Sequence, residues 1–316
     1  MTDTVPPQPA AARRREELSA PPERSRHLGQ VVAFLVTAVI AWKVVAFVAA
    51  DPKLTWGVWR KYLFSGEVLH GLVTTVELSV IAMAAGIVLG VAVALMRLSA
   101  NRYLRTVSWM YVWVIRSVPL LLQILIIGNL GLFFDTVHLT VPLVHLTLVD
   151  QPTNKVFTPF VASVVALSIN EAPYMAEIVR GGILSVAGGQ TEAAEALAMT
   201  RAQTMRHVVL PQALRTIIPP TGNQVVNMLK ATSLVSVVAG GDLLTVTTNL
   251  AANNFRTLEM LFVATFWYLV LTVLATAGQS LLERRSNRSR RQAEVRGGND
   301  RAAAELELMT IDGGGR

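Results

Sequence analysis

Residues 68–96 carry one formal charge at neutral pH, that of Glu77, in 29 consecutive positions. An apolar segment of more than about 18 residues is long enough to cross a bilayer as a helix. The same pattern recurs at 31–50, 110–134, 158–180, 211–240 and 258–282. Only 16% of the chain is charged and 52% is hydrophobic, against roughly 25% charged in soluble domains. These runs exclude an ordinary soluble fold and point to an all-α integral membrane protein.

The polar gap between the fourth and fifth runs has its own local signals. Arg180-Gly181-Gly182 predicts a helix end, because a basic last turn followed by glycine completes a helix C-terminus. Gly188-Gly189 predicts a turn. Residues 190–198, QTEAAEALA, are strong helix formers, with Glu192 and Glu195 placed early, where the helix dipole favours them. Thr200 followed three residues later by Gln203 fits a capping box, so a second short helix starts there and must end or kink at Pro211.

This stretch resembles the cytoplasmic signature loop of ABC-importer permeases: EAA, three residues, Gly, nine residues, then Ile-x-Leu-Pro. Here Glu192, Ala193 and Ala194 are followed at the same spacing by Ala198 and then by Val208, Val209, Leu210 and Pro211. Ala198 stands where the pattern has Gly, which matters if the turn needs φ > 0. The segments 71–99, 115–123 (IRSVPLLLQ), 174–183 (YMAEIVRGGI), 210–220 (LPQALRTIIPP) and 229–238 (LKATSLVSVV) are similar to the polar amino acid permeases of the histidine/glutamine type.

The resemblance implies a type I ABC importer transmembrane fold over 66–283, with five core helices and a cytoplasmic coupling loop at 181–211. It implies a permease subunit of an ATP-driven polar amino acid importer, forming half of the path. It assigns ATPase coupling to Glu192, Ala193, Ala194, Ala198, Leu210 and Pro211. The implied partners are an ABC ATPase dimer carrying ATP and Mg, an extracytoplasmic amino-acid-binding protein, and a second permease copy or paralogue. A permease for another small polar solute, or an ATP-independent transporter, is the competing reading.

The remaining sequence fits that frame. Residues 1–30 are rich in Pro, Arg and Glu and are predicted to be a disordered tail. Residues 31–50 predict an extra transmembrane helix; Val48-Ala49-Ala50 resembles a cleavage site, but the run exceeds the roughly 7–15 residues of a signal peptide. Trp56, Trp59 and Tyr62 mark a membrane interface. Ala82, Gly86, Gly90 and Ala94 form a small-residue stripe, a packing face within the chain or a dimer contact. Pro119 predicts a kink inside the 110–134 span. The alternation at 137–148 fits a short hairpin, and its two histidines, His138 and His145, lack a third metal ligand nearby. Pro219-Pro220 predicts an interruption, so the crossing part of the fifth run starts near Thr221. Residues 284–316 form a charged tail.

Twenty of the 28 basic residues fall in segments that are inside if both termini are cytoplasmic, and five fall outside. That asymmetry orients the chain in the cell membrane as a multi-pass protein with the signature loop inside. The net charge of +7 is thus explained by topology rather than by nucleic acid. No cysteine is present, which excludes thiol chemistry. None of the five lysines follows a glycine, so there is no Walker-type phosphate loop. No catalytic or metal motif appears; the chain is read as a transport subunit, not an enzyme, with membrane lipid as its solvent.

Charges at membrane depth seldom face lipid, since each costs about 2.5–3.5 kcal/mol or more. Glu77, Arg116, Glu171 and Lys230 should therefore face the bundle interior, pair with one another, or line a wet cavity. For an amino acid zwitterion, Glu171 or Glu77 offers an acceptor for the ammonium. Lys230, Gln123, Asn170 or Arg116 offers a donor for the carboxylate, although Arg116 sits near a helix end and suits a structural role better. A purely structural ion pair is the alternative.

Overall fold

The computed structural model describes residues 26–51, 54–141 and 146–283. The predicted tails therefore lie outside the described residues, except that helix α1 (Arg26–Ala49) begins inside the stretch expected to be disordered. Prolines 21 and 22 are the last prolines before it, and residues 26–49 contain none. Phe34, Leu35, Ile40 and Trp42 of α1 are exposed. This helix forms a compact unit separate from the rest of the chain, which starts at Trp56.

The second unit is a helical bundle. It opens with α2 (Trp56–Leu63) and α3 (Gly66–Leu98). Next come α4 (Arg102–Ser117) and α5 (Leu120–Gly128). A β-hairpin pairs β1 (Thr136–Val141) with β2 (Leu146–Pro152), and α6 (Thr153–Val156) follows. Then come α7 (Pro159–Leu184), α8 (Gly188–Ala196) and α9 (Arg201–Thr204). The bundle closes with α10 (Leu210–Ala231), α11 (Leu243–Asn254) and α12 (Thr257–Glu283). Among the described residues two helices, α3 and α12, are long and apolar enough to cross a membrane unaided; counting each bent pair as one span gives up to four. Helix α7, at 26 residues, spans about 39 Å. It is more polar, and Ala166, Leu167, Ala172, Met175 and Ala176 along it are buried, so much of its surface meets protein instead of lipid.

The bundle is organised by α3 against α7. Ser65 caps α3 through its side chain, and Thr158 caps α7, with Pro159 in the first turn, where its missing N–H is harmless. Ala82, Gly86, Gly90 and Ala94 are all buried. A Cβ added at Gly86 would stand 2.8 Å from Glu171 Cβ, and one at Gly90 would stand 2.5 Å from Met175 Cβ. The small-residue stripe thus serves packing within the chain, bringing the two backbones together. Around this contact Leu78, Met83, Ile124, Leu167, Met175, Met228 and Val235 form the central core. Leu63, Val68, Leu243, Met260 and Val263 fill one end of the bundle. There Trp59 makes edge-on contacts with Trp56 and with Phe266.

Three proline readings need correction. At Pro119 the chain does not kink within a span but breaks: α4 and α5 meet at 99°. Proline removes the donor that Ile115 O would receive, and the Gln123 side chain replaces it, donating to Ile115 O at 2.9 Å and Val118 O at 2.8 Å. At Pro211 the helix neither ends nor kinks sharply. Residues Met205–Val209 widen to a π-turn, with Leu210 N bonded to Met205 O, and helical structure continues from Arg201 to Val238. The wider turn gives the proline ring room against the preceding carbonyls. Likewise Pro219-Pro220 does not interrupt α10; the carbonyls it orphans belong to Arg215 and Thr216, on exposed residues.

Two glycine signals also move. Helix α7 runs through Gly181-Gly182 to Leu184, because Gly182 lies in close contact with Ile217 of α10, where a Cβ would fall 2.3 Å from Cγ1. Gly188-Gly189 forms the first turn of α8 instead of the turn before it, which places Glu192 and Glu195 beyond that first turn. The predicted hairpin is present, with Val137 opposite Gln151 and a bulge between Leu139 and Thr140. His138 pairs with Asp150 at 2.7 Å; His145 lies outside the described residues.

The last break follows a seven-residue 3₁₀ stretch, Thr232–Val238, beyond which Ala239 is left-handed, φ 56°. Fully buried Asp242 then caps α11 and accepts a hydrogen bond from Tyr268 of α12 at 3.1 Å, while Thr75 of α3 accepts from Leu243 N at 2.9 Å.

Candidate functional site

Helix α7 carries Glu171 twelve residues into its length, about 18 Å along its axis. The carboxylate is 6% exposed. Three helices converge there because Gly86 lets α3 close on one side and α10 packs on the other. A cavity of about 250 Å³ opens beside it, walled by Leu120, Leu167, Met228 and Ala231 and floored by Asn170, Glu171, Tyr174, Gln224 and Asn227. Gln224 Nε2 donates to Glu171 Oε1 at 3.0 Å, and Asn227 Nδ2 donates to Gln224 Oε1 at 3.2 Å. No cation pairs with Glu171 among the described residues, so its buried charge is held by one amide hydrogen bond and the cavity. A buried carboxylate is expensive without a partner. This arrangement suits a cationic or ammonium-bearing ligand.

The sequence candidates divide. Glu171 and Asn170 line the cavity; Gln123, Glu77 and Lys230 do not. Gln123 is committed to the backbone across the Pro119 break, a structural task. Glu77 and Lys230 are exposed on the surface of the single chain, so of the expected placements the interior of this chain is not theirs, because the interior faces of α3 and α10 are taken by small and aliphatic residues. Arg116 lies over the Tyr174 ring, 5.1 Å from its centre, so it props a cavity residue without lining the cavity. Gln224, Asn227 and Tyr174 were missed. The signal for two of them was present: Gln224 and Asn227 are polar, three apart and therefore on one helix face, within an apolar run.

The connecting loop presents a second surface. Glu192 and Ala193 are exposed, and Leu197 is 78% exposed. Ala194, by contrast, is 3% exposed, so its small size serves packing within the loop. Ala198 has φ 54°, the left-handed geometry for which the resembled pattern uses glycine. Thr200 and Gln203 form the predicted reciprocal capping box. Leu210 and Pro211 are exposed where α10 begins. At the root of the loop Glu177 joins α3 to α7: one carboxylate oxygen meets Arg97, and the other accepts from Arg180 at 2.8 and 3.0 Å.

The family model described as binding-protein-dependent transport system inner membrane component matches residues 86–288. The arginine transport system permease protein of Corynebacterium glutamicum is 38% identical over 261 residues, covering 82% of this chain and 80% of that one. The glutamine transport system permease protein of Escherichia coli is 33% identical, covering 69% and 91%. A crystal structure of an amino acid ABC transporter with histidines superposes with a TM-score of 0.62 at 34% identity, over 73% of this chain and 99% of that one.

Proposed function

Because the chain belongs to the family of binding-protein-dependent transport system inner membrane components, we propose that it is the permease subunit of an ATP-driven importer of polar amino acids. The observation that carries the substrate class is the unpaired carboxylate of Glu171 facing a polar cavity within the bundle. The relatives' own substrates, arginine and glutamine, support it. Glu171 receives the substrate ammonium or a cationic side chain. Asn170 and Asn227 supply amide donors for its carboxylate, and Leu120, Leu167 and Met228 exclude water around it.

The partners are a separate ATPase pair, a soluble binding protein that delivers substrate outside, and a second permease copy. The ATPase docks on the exposed side of α8, through Glu192, Ala193 and Leu197. Both termini and α8 lie in the cytoplasm, as the charge asymmetry favours. Closure of the ATPases displaces α8. Glu177, bonded to both Arg97 and Arg180, passes that displacement to α3 and α7 together, and α7 carries Glu171. Substrate and ATP each shift the balance only so far as they bind one arrangement better than the other.

The test is uptake of labelled arginine, glutamine and aspartate into vesicles holding the chain with its ATPase. Glu171→Gln keeps the hydrogen bond to Gln224 but loses the charge. A hydrogen bond to a charged group is worth about 1.5–3 kcal/mol, so uptake of the cationic or zwitterionic substrate falls roughly 10- to 100-fold. Assembly with the ATPase stays intact. Unchanged uptake and selectivity in a well-expressed variant would remove Glu171 from the path.

A further inference from the structure

Helix α10 has three different faces. At about 100° per residue, Ala213, Ile217 and Met228 fall on one side and are buried. Leu214, Ile218 and Val225 fall on a second, which is exposed and apolar. Gln212, Thr216, Asn223, Asn227 and Lys230 fall within about 60° of one another on a third, and all five are exposed. No other residue between 212 and 230 points into that arc, so every position on it is polar. From Gln212 to Lys230 the arc runs about 27 Å, most of a roughly 30 Å hydrocarbon core.

Lipid is a poor neighbour for this face. Lys230 makes no ion pair among the described residues, and a charge turned to hydrocarbon is costly. Snorkelling from the helix end would relieve Lys230, but Asn227 and Asn223 lie about one and two turns deeper. A tight contact with another helix suits the face no better. Helices close on each other in a membrane through small residues, as Ala82, Gly86, Gly90 and Ala94 do on α3. The arc has no glycine, alanine or serine.

The neighbour that fits is water. Asn227 joins the arc to the Glu171 cavity: it lines that cavity and donates to Gln224, which donates to Glu171. Further along, Asn223 Oδ1 accepts from Gln279 of α12 at 2.8 Å, and Gln279 also donates to Glu283 at 2.9 Å. Polar groups thus continue from the cavity to the last residue of α12. We propose that this face of α10 is a wall of the translocation path. The amino acid passes along it from Lys230, past the Glu171 cavity, to Asn223, Thr216 and Gln212, with the second permease copy closing the lane opposite. This rests on the reading of the chain as an amino acid permease and extends it from one cavity to a route.

The chain has no cysteine, so single cysteines report each face in the complete transporter, chain and ATPase together in phospholipid vesicles. The probe is a small charged methanethiosulfonate, which reacts with the thiolate and so only where water reaches it. Each rate is taken against the same variant unfolded in dodecyl sulfate. Thr216→Cys, Asn223→Cys and Lys230→Cys are expected to react about tenfold or more faster than Leu214→Cys, Ile218→Cys and Val225→Cys. Saturating arginine or glutamine is expected to slow the reaction of Asn223→Cys. Polar-face cysteines that react no faster than apolar-face ones, in vesicles that still take up arginine, overturn the proposal and leave the permease reading in place. Fast polar-face cysteines that no amino acid protects, in vesicles that take up none, show a route for another solute and overturn the permease reading itself.

Discussion

The turn after α8 ends in an alanine in left-handed geometry. Ala198 N bonds to Glu195 O at 2.9 Å, and Met199 N bonds to Ala194 O at 3.1 Å. These are the two bonds of a Schellman motif, whose left-handed position is usually glycine. Ala198 occupies that position with φ 54°. A left-handed backbone costs an L-residue about 1–2 kcal/mol, from Cβ crowding the carbonyl. Ala198→Gly removes that cost, but glycine frees the unfolded segment by about 0.4–1 kcal/mol. The balance favours glycine by up to about 1.6 kcal/mol, with a midpoint of about 0.8 kcal/mol, or roughly a fourfold smaller population of the open turn. Ala198 is exposed, so no packing is lost. Amide hydrogen exchange at residues 198 and 199 reads this directly, and transport is expected to be retained. The control, Ala198→Val, should open the turn faster, because a β-branched residue is a poor fit to this region. Faster exchange in the glycine variant, or slower exchange in the valine variant, would refute the left-handed assignment.

Other expectations follow from the same geometry. Gly90→Ala places a methyl group against Met175 Cβ and 2.9 Å from Ala172 O; overpacking of this kind costs about 1–3 kcal/mol, seen as a lower unfolding midpoint in detergent, and an unchanged midpoint would contradict the close approach of α3 and α7. Ala194→Leu should loosen the loop itself, whereas Ala193→Leu, on the exposed face, should leave unfolding unchanged and weaken ATPase binding in a pull-down; the reverse pattern would exchange the two faces. The chain has no cysteine, so Thr55→Cys and Gln151→Cys should react with an impermeant maleimide on intact cells and Thr200→Cys only after permeabilisation. Labelling of Thr200→Cys from outside would invert the topology.

What the sequence determined by itself was local or one-dimensional. Uninterrupted apolar runs require a membrane, since no soluble core buries so many. The Thr200–Gln203 box depends on residues three apart, and the chain makes it wherever it starts a helix there. The hairpin was marked by alternation, whereas a left-handed turn at Ala198 was raised only by the resemblance to the permease signature, whose pattern has glycine there. The stripe of Ala82, Gly86, Gly90 and Ala94 showed that something must come close, though not what. Only the tertiary structure decided that α7 is the neighbour, and hence that Gly86 lies against Glu171. It alone separated charges that look alike in sequence: Glu171 is buried beside a cavity, while Glu77, equally deep in an apolar run, is exposed. The reason is that a helix offers every residue to some direction, and which direction is interior depends on helices a hundred residues away. Prolines follow the same logic. Pro119 breaks its helix and Pro219-Pro220 does not, because the outcome rests on what satisfies the orphaned carbonyls. For Ile115 that partner is Gln123, placed by a 99° turn that no local pattern encodes.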